Sequence, residues 1–570
     1  MTLSRRDALK HMLSATALGG LGSATALTEA SADGLKLAVA NVMDYGATGN
    51  GTTDDTAAIH ATRDAAGVGG RVIIPAGTYL VSGLTASVVN QTWELSNGIV
   101  GEATIRMKAE AGSILHVTAA GVTVDGGVFD GSAGTLHNWS QQGIRIEANA
   151  VTVRNAEIRE SPCHGVYALD SNRVTVAGCR FTDCYSAGVI FQNGTDATDR
   201  YDVNFTGNHI ESSLDTSYGI GVVGGAVRPV HRITISHNTV LLKVNPSEES
   251  SCIGVSHSTD WVVSDNFVRG SSLGISCPLP VRAKISNNQV RNFNQIGIEI
   301  PGTVTDCIVS NNVINAHGAD GAYGSADGIQ ASQGPVTGLS VIGNTISGFQ
   351  GDMSGISFSK GSVVESATIS GNVVRGDCNK FCGLSIAHTA KNVTISDNTF
   401  DAGTVATEVS GICCVGDDAN AVLNTAIVGN IFTSKSSASS NYTIFFGTNA
   451  TASGITVSRN TIKAPDSADF AAFHCYSSAT NIVFTGNSVN AGASKFSSGV
   501  ELYNAVDGLK ISGNQFSNLT EAVVRLMAST AVTMKNIKVT GNGIVNVPYR
   551  IMNLNTGGAV VEDSVIFTDE

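Results

Sequence analysis

The sequence has 570 residues, of which 42% are hydrophobic and 14% charged, with 64 glycines and only 10 prolines. This composition is typical of a folded protein that is poor in helix-forming charged runs. The formal net charge of −13 argues against nucleic acid as a partner, because nucleic-acid-binding surfaces are basic. An acidic polysaccharide would need a local cationic site, since the chain as a whole repels it.

The N-terminus has the pattern of an export signal. Residues 4–10 read SRRDALK, which resembles a twin-arginine motif, and a weakly apolar run follows at residues 12–27. Residues 30–32 (ASA) form a plausible cleavage site. Glycines interrupt the run, so it predicts a poor membrane anchor. We therefore expect residues 1–32 to be a twin-arginine signal peptide, the mature protein to be periplasmic or extracellular, and the membrane not to be a partner.

The next stretch carries a recognisable motif. Residues 41–66 read NVMDYGATGNGTTDDTAAIHATRDAA, and residues 69–83 read GGRVIIPAGTYLVSG. This pair resembles the opening of the pectate-lyase-like superfamily, which polygalacturonase-type hydrolases and phage tailspikes share. The resemblance implies a right-handed parallel β-helix. Asp54, Asp55 and Thr56 are expected to cap a short helix at residues 57–66 that closes the end of the solenoid, within an N-terminal region of cap and irregular early coils at residues 33–140.

A repeat then organises the chain. It reads VNFTGNHI from Val203, ITISHNTV from Ile233 and VTISDNTF from Val393, and its step averages about 28 residues, the size of one solenoid coil. Apolar and polar residues alternate as in a strand. The aligned asparagines are expected to take left-handed corner conformations and to bond to the coils above and below. They are Asn208, Asn238, Asn266, Asn288, Asn312, Asn344, Asn372, Asn398, Asn430, Asn460, Asn487, Asn514 and Asn542.

These patterns predict an all-β chain that forms one right-handed parallel β-helix with an N-terminal capping helix. Regular coils are expected over residues 141–547, with a C-terminal tail or cap at residues 548–570.

A second repeat, GIRIEA from Gly143 and GVYALD from Gly165, marks a further strand in each coil. The residue after its glycine should point inward and the next one outward. The outward row is then Arg145, Tyr167, Ile190, Gly221, Ser256, Ser276, Glu299, Gln330, Ser357 and Ser385, and a second row begins Glu147, Leu169, Gln192.

Chemically active side chains crowd the first of these coils. Because equivalent positions on neighbouring coils are about 4.8 Å apart, His164, Tyr185 and Tyr218 are expected in one column and Asp183 and Asp215 in another. These five are the candidate catalytic residues. The candidate substrate-binding residues are Arg145, Glu147, Trp139, Tyr167, Gln192 and Glu299. Further corner residues are His317, Asp320, Tyr323 and Asp327. For each corner residue taken singly, a local turn bond is an alternative role.

Several functions stay open at this stage. In β-elimination of a uronate polysaccharide, Arg145 would neutralise the carboxylate, His164 or Tyr185 would take the C5 proton, and Tyr218 would protonate the leaving oxygen. In hydrolysis, Asp183 and Asp215 would be the carboxylate pair. A C5-epimerase would use the same base and acid. Elimination is preferred, since the His, Tyr and Arg set is the fuller one.

A non-catalytic glycan binder of the tailspike or adhesin kind, as a homotrimer, is the remaining hypothesis. The Asn-Thr-Asp, Asp-Asp and Arg-Ile-Lys elements of the similar hydrolases are missing, and only His164-Gly165 matches their His-Gly element. No cofactor or metal is expected. Cys277, Cys414 and Cys475 occupy inward positions, and Cys378 with Cys382 lacks a second ligand pair.

Overall fold

The structure is a computed structural model that describes residues 38–98, 101–108, 112–134, 138–194, 198–225, 227–243, 250–316, 325–359, 361–415, 420–435, 439–447, 450–464, 469–492, 494–556, 558–561 and 566–568. Over this range the chain is a parallel β-solenoid of about 17 turns, as the repeats predict. The predicted signal peptide lies outside the described residues, as do His317, Asp320 and Tyr323. No helix within the described ranges is long and apolar enough to cross a membrane.

Each coil contributes strands to three faces, and every strand pairs in parallel with its counterpart on the next coil. Face 1 is a sheet of its own and contains the strand that ends just before each repeated asparagine. Its strands are Val39–Asn41, Arg71–Ile74, Thr92–Leu95, Thr123–Asp125, Thr152–Arg154, Val174–Ala177, Arg200–Thr206, Val230–Ser236, Ser258–Ser264, Val281–Ser286, Val304–Thr305, Ile308–Ser310, Val336–Thr337, Ser340–Ile342, Val364–Glu365, Thr368–Ser370, Ala390–Lys391, Thr394–Ser396, Asn420–Leu423, Ala426–Val428, Ala450–Ser453, Thr456–Ser458, Ser478–Thr485, Val506–Ser512, Thr533–Thr540, Val560–Val561 and Ile566–Thr568.

Face 2 follows the asparagine and face 3 contains the second repeat. The strands of face 2 are Asn50–Asp54, Gly77–Val81, Ala103–Met107, Val128–Asp130, Glu157–Arg159, Arg180–Thr182, His209–Ser212, Thr239–Leu242, Phe267–Arg269, Gln289–Arg291, Val313–Asn315, Thr345–Ser347, Ile431–Ser434, Thr461–Lys463, Ser488–Asn490, Gln515–Ser517 and Gly543–Val545. The strands of face 3 are Leu84–Ala86, Leu115–Val117, Ile144–Ile146, His164–Leu169, Ala187–Gln192, Tyr218–Val223, Ser251–Ser256, Leu273–Ser276, Ile296–Pro301, Ser325–Ser332, Asp352–Phe358, Ser440–Phe446, Asp469–Cys475, Phe496–Leu502, Ala522–Leu526 and Tyr549–Asn553. Two long strands, Val373–Ile386 and Thr399–Cys414, run through both faces and join them into one sheet.

A short helix closes the N-terminal end of the solenoid. A 3-10 turn (Val42–Tyr45) precedes α1 (Thr56–Ala66), and Ile59 and Ala66 of α1 are buried. Asp55 is the N-cap residue, but its carboxylate accepts from the backbone of Thr48 and Gly49 instead of capping α1. Asp54 accepts from the backbone amide of Thr56. The capping helix is confirmed. Asp54 bonds to the first turn of this helix, whereas Asp55 bonds to the loop before it.

The inside of the coils is a continuous apolar core. Ile144 and Ile146 are fully buried whereas Arg145 between them is half-exposed, which confirms the predicted alternation on face 3. The glycine that begins the second repeat is required by close packing between coils. A Cβ added at Gly165 would lie 2.6 Å from the carbonyl oxygen of Gly188 and 2.6 Å from the ring of Phe181. Any larger residue there would push the coils apart.

The repeated asparagines form a buried ladder along the whole repeat. The Nδ2 of Asn372 donates to Oδ1 of Asn398 on the next coil (2.9 Å) and to the carbonyl oxygen of Val341 (2.8 Å). The same side-chain bond joins every neighbouring pair from Asn208 to Asn542. The predicted bonding between coils is therefore confirmed.

The predicted left-handed conformation of these asparagines is wrong by one residue. The positive φ belongs to the residue just before each one, for example Gly207 (66°), His237 (58°) and Asp265 (59°). The corner residue bends the chain, and this bend directs the following asparagine into the interior. Left-handed corners favour Gly, Asn and Asp, which explains why the residue before the ladder is so often Gly.

Candidate functional site

The outward residues of face 3 form one central row that runs along the solenoid. Strand pairing fixes this row from coil to coil. It consists of Arg145, Tyr167, Ile190, Gly221, Gly254, Ser276, Glu299, Gln330, Ser357, Ser385, Cys413, Phe445, His474, Glu501 and Arg525. One position differs from the sequence prediction: Gly254, not Ser256, pairs with Gly221, and Ser256 is level with Val223.

The first coils of the row hold a group of polar and aromatic side chains that we call the early cluster. Its members are His116, Trp139, Arg145, Glu147, His164, Tyr167 and Gln192. Arg145 is level with Tyr167 on the next coil, and its guanidinium carbon lies 5.7 Å from the centre of the Tyr167 ring. The predicted neighbourhood of Arg145 and Tyr167 is thus present.

Glu147 binds the side chains of two other residues of the early cluster. Its Oε1 accepts from Nε (3.0 Å) and a terminal nitrogen (2.5 Å) of Arg145, and its Oε2 lies 2.8 Å from Nε2 of His116. Burial alone would raise the pKa of Glu147, but the bonds from Arg145 and His116 outweigh it and lower that pKa. His116 was missed in the sequence, although strand pairing places it directly beside Arg145.

His164 is the most unusual group of the early cluster. Its side chain is only 6% exposed, and its ring lies 5.7 Å from the ring of Trp139 and 5.3 Å from that of Tyr167. Burial lowers the pKa of His164 to about 4, so the imidazole is neutral at pH 7. Its Nδ1 is buried without a hydrogen-bond partner in the described part of the chain. An unpaired buried nitrogen is costly in a folded protein and calls for a functional explanation.

Two other aromatic side chains complete the early cluster. The Tyr167 hydroxyl donates to Oε1 of Gln192 at 3.0 Å, and burial raises the pKa of this phenol. Trp139 is 66% exposed, which is unusual for so large an apolar side chain. An exposed indole beside half-buried polar groups is the arrangement expected of a surface that stacks on sugar rings.

The other predicted catalytic residues are not arranged in the expected columns. Strand pairing places Ala187, not Tyr185, between His164 and Tyr218. Thr182, the residue before Asp183, is level with Glu211, four residues before Asp215. The loops between faces 2 and 3 differ in length, so equal spacing from the glycine does not give equal positions in space.

Asp183 and Asp215 are each held by a different partner. Oδ1 of Asp183 accepts from the amide (2.7 Å) and the hydroxyl (2.9 Å) of Ser213, and Asp215 forms an ion pair with Lys243 at 3.1 Å. The predicted column of paired carboxylates is therefore wrong. Asp327 lies on a strand of face 3, and burial raises its pKa.

Halfway along face 3 the central row opens into a cavity of about 280 Å³. Small residues at Gly254 and Ser276 form its floor, and Tyr218 and Glu299 are among its walls. Glu299 accepts a bond from the Ser276 hydroxyl at 2.7 Å. This volume approaches the lower limit of about 300 Å³ for small-molecule pockets. Two residues predicted from sequence, Tyr218 and Glu299, thus line one cavity.

A second group of charged and aromatic side chains lies further along the same row, and we call it the late cluster. It consists of Tyr442, Asp469, His474, Tyr476, Glu501, Tyr503, Glu521 and Arg525. The sequence interpretation placed the functional side chains in the first coils, followed the outward row only to Ser385, and missed this cluster. The signal was available, because Phe445, His474, Glu501 and Arg525 each follow an inward apolar residue of the second repeat.

Metal binding has no support in the described ranges, where no group of three or more His, Cys, Asp or Glu side chains could hold an ion. All eleven cysteines carry free thiols, and Cys277, Cys414 and Cys475 are buried as predicted.

Comparison with known proteins agrees with this architecture. A family model described as "Right handed beta helix region" matches residues 105–268, and one described as "Rhamnogalacturonase A/epimerase, pectate lyase-like" matches residues 39–104. Mannuronan C5-epimerase AlgE2 of Azotobacter vinelandii is 28% identical over 300 residues, which cover 50% of this chain and 23% of the epimerase. The plasmin and fibronectin-binding protein A of Streptococcus pneumoniae is 26% identical over 283 residues, which cover 48% of this chain and 38% of that protein.

Among solved structures, the alginate lyase AlyF-OU02 in complex with G6 aligns with a TM-score of 0.46 and 14% identity, covering 64% of this chain and 85% of the lyase. The chain spans about a quarter of the epimerase and less than half of the binding protein. The two family models are adjacent, and together they match the capping region and the first coils of the solenoid. Residues 39–268 are thus similar to the families of right-handed β-helix and pectate-lyase-like proteins.

Proposed function

We propose that this chain is a carbohydrate-active enzyme that binds a uronate-containing polysaccharide along face 3 and removes the C5 proton of a uronate at the early cluster. The observation that carries the proposal is His164, a neutral and buried imidazole with an unpaired nitrogen. It contacts a tyrosine and an exposed tryptophan, one coil from an arginine. A base, an acid, a cation and a sugar-stacking ring are the groups that this reaction needs.

The leading reaction is β-elimination. The unpaired nitrogen of His164 takes the C5 proton, the electrons of the C–H bond form the C4–C5 double bond, and the C4–O bond breaks. Tyr167 protonates the leaving oxygen, and its raised pKa keeps the phenol protonated until then. Tyr218, two coils further on, contacts the next sugar from the central cavity.

Arg145 orients the uronate carboxylate in this proposal. Its bonds to Glu147 use Nε and one terminal nitrogen, and a guanidinium has five N–H donors in total. The uronate carboxylate accepts hydrogen bonds from the remaining donors. The sugar ring of the same uronate stacks on Tyr167. The negative charge of the carboxylate then increases in the enolate-like transition state, which the nearby cation stabilises.

A second candidate reaction is C5-epimerisation. The sequence relatives named mannuronan C5-epimerases favour it. The same base would remove the proton, and a proton would return to the opposite face of the sugar without any change in chain length. Hydrolysis by Asp183 and Asp215 is not part of the proposal, because these carboxylates bind Ser213 and Lys243 and are out of register.

One experiment separates these reactions. The mature protein is incubated with polymannuronate, polyguluronate and polygalacturonate in deuterated water. Elimination gives ultraviolet absorbance from the unsaturated product, epimerisation gives deuterium at C5 with constant chain length, and hydrolysis gives new reducing ends alone. His164→Gln should abolish the first two signals. The control is His231→Gln, since His231 stacks on Tyr201 on face 1, far from the early cluster.

Glycan binding without turnover would support the adhesin-like alternative. The similarity to a plasmin and fibronectin-binding protein favours this alternative, and the trimer that we associate with it would show in size-exclusion chromatography with light scattering. Turnover that persists in His164→Gln would remove the early cluster from the proposal.

A further inference from the structure

The late cluster contains a buried histidine that is oriented by a carboxylate. Nδ1 of His474 lies 2.8 Å from Oε2 of Glu501, and the two side chains are 0% and 1% exposed. The nearby carboxylate favours a hydrogen on Nδ1 and a lone pair on Nε2, although the contact between Nδ1 and Glu501 does not have the geometry of a hydrogen bond. Nε2 has no partner among the described residues and is shielded from solvent.

Arg525 continues the same column on the far side of Glu501. One of its terminal nitrogens lies 2.7 Å from Oε1 of Glu501 and 2.7 Å from Oε2 of Glu521. Its Nε is also buried without a hydrogen-bond partner in the described part of the chain. The late cluster thus presents an unpaired acceptor and an unpaired donor on one face, each of which costs about 1–3 kcal/mol when left unsatisfied.

Aromatic rings surround the imidazole of His474. The ring centres of Tyr442, Tyr476 and Tyr503 lie 4.1, 4.7 and 4.9 Å from it. Tyr476 and Tyr503 also contact each other at 4.2 Å. All three tyrosines are half-buried on the outer side of the sheet. Phe445 also contacts the imidazole, with the two ring centres 5.4 Å apart.

The excess of negative charge in the late cluster favours an uncharged ligand over an acidic one. Asp469, Glu501 and Glu521 supply three carboxylates against the single guanidinium of Arg525. Burial raises the pKa of Glu521, and the negative charge of Glu501 raises it further. An acidic sugar would be repelled here, whereas sugar hydroxyls can both donate and accept hydrogen bonds.

We propose that the late cluster is a binding site for an uncharged sugar residue, in which one hydroxyl donates to Nε2 of His474 and another accepts from Nε of Arg525. The rings of Tyr476 and Tyr503 move aside to admit the sugar and then pack against it. Both unpaired groups gain a partner, and the cost of leaving them buried and unsatisfied is recovered on binding.

This site is far from the early cluster on the same face. Eleven strand steps separate Tyr167 from His474 in the central row, which amounts to about 50 Å at the usual spacing of ~4.8 Å. A glycan that carries uronates and neutral sugars could contact both sites. The binding proposed here does not depend on the reaction at the early cluster.

Calorimetric titration tests the site directly. The mature protein is titrated with neutral hexasaccharides of glucose, mannose, galactose and xylose, and with mannuronate and galacturonate hexasaccharides. At least one neutral ligand should bind, and Tyr476→Ala with Tyr503→Ala should weaken it at least tenfold. His474→Gln, which keeps a polar side chain, should do the same. The control is Arg145→Gln in the early cluster, which should leave neutral-sugar binding unchanged and weaken only uronate binding.

The design separates this proposal from the proposed function. If no neutral glycan binds, or if the late-cluster variants bind it as well as the unmodified protein, the late site is overturned, whatever happens with uronates. Thermal melting identifies variants that fail to fold. Tyr503→Leu removes the aromatic ring and keeps an apolar side chain, so it replaces His474→Gln if that variant is unstable, and it should weaken neutral-sugar binding severalfold. Binding of the uronate hexasaccharides at the late cluster would also overturn the assignment to uncharged sugars.

Discussion

Arg145 donates two hydrogen bonds to Glu147, at 3.0 and 2.5 Å, while its guanidinium lies over the ring of Tyr167. The carboxylate and the ring together hold the cation at the surface of face 3. An isolated surface ion pair contributes only about 0–1 kcal/mol to stability, so the fold does not require this arrangement. Its geometry matters instead for a planar ligand group such as a carboxylate.

Arg145→Lys should reduce turnover of a uronate polysaccharide at least tenfold, or about 1.4 kcal/mol. Lysine keeps the charge but cannot form the planar fork. The melting temperature should change little. The control is Arg154→Lys on face 1, since Arg154 also binds a carboxylate, that of Asp125, with Nε and a terminal nitrogen. Equal turnover in the two variants would remove Arg145 from the site.

The stability of the protein should depend on pH through His164. Burial lowers the pKa of the folded imidazole to about 4, against 6.5 in an unfolded chain. Between these values the unfolded chain binds more protons, so stability is complete above about pH 6.5 and falls as the pH drops towards 4. The loss amounts to about 3 kcal/mol. Urea unfolding at pH 7 and pH 4 should show a smaller loss in His164→Gln. An identical loss in both proteins would contradict the assigned pKa.

Asp215→Asn should leave turnover within about twofold and stability within about 0.5 kcal/mol, because its ion pair with Lys243 is half-exposed. Kinetics on the best uronate substrate and a thermal melt test this. The parallel change Asp183→Asn should act on stability more than Asp215→Asn does, since Asp183 accepts two bonds from Ser213. A hundredfold loss of turnover in Asp215→Asn would restore hydrolysis as a candidate.

The sequence predicted the fold to the level of single hydrogen bonds where the pattern was periodic. Each asparagine of the ladder was identified, because one buried amide per coil must occur at a constant position to bond with its neighbours. The conformation was assigned to the wrong residue, since the left-handed corner is one position earlier, at residues such as Gly371. The periodic pattern identifies the residues that stack on neighbouring coils. It does not identify which residue near them has the left-handed conformation that turns the chain.

The candidate site was less predictable because loop lengths change between coils. Tyr185 was placed beside Tyr218 by counting from the corner, whereas strand pairing puts Ala187 there. His474 and Glu501 were missed for a different reason. The predicted row ended at Ser385, and the pairing of the two residues on neighbouring coils depends on a side-chain contact that no local motif records.

Asn372→Ala should destabilise the protein by about 2–4 kcal/mol. The substitution removes the bonds to Asn398 and Val341, and it also leaves the buried amide of Asn344 without its acceptor, since that amide donates to Oδ1 of Asn372. The control is Asn379→Ala, which removes an exposed asparagine from the same region and should cost less than about 0.5 kcal/mol. Denaturant unfolding compares the two. Similar losses would mean that the ladder adds little to stability.

Gly254→Ala should weaken glycan binding at face 3 without unfolding the protein. A Cβ at this position would lie 2.7 Å from Cε1 of the Tyr218 ring, so the ring must move into the cavity whose wall it forms. The displaced ring occupies space that a sugar would fill, and the dissociation constant should rise about tenfold, equivalent to about 1.4 kcal/mol.

Gly221→Ala is the matched control, because its Cβ would lie 3.2 Å from a methylene of Ile190 and requires a smaller shift. Calorimetric titration with uronate hexasaccharides measures both variants, and thermal melting verifies that each is folded. If Gly221→Ala weakens binding as much as Gly254→Ala, the central cavity is not where the glycan contacts Tyr218.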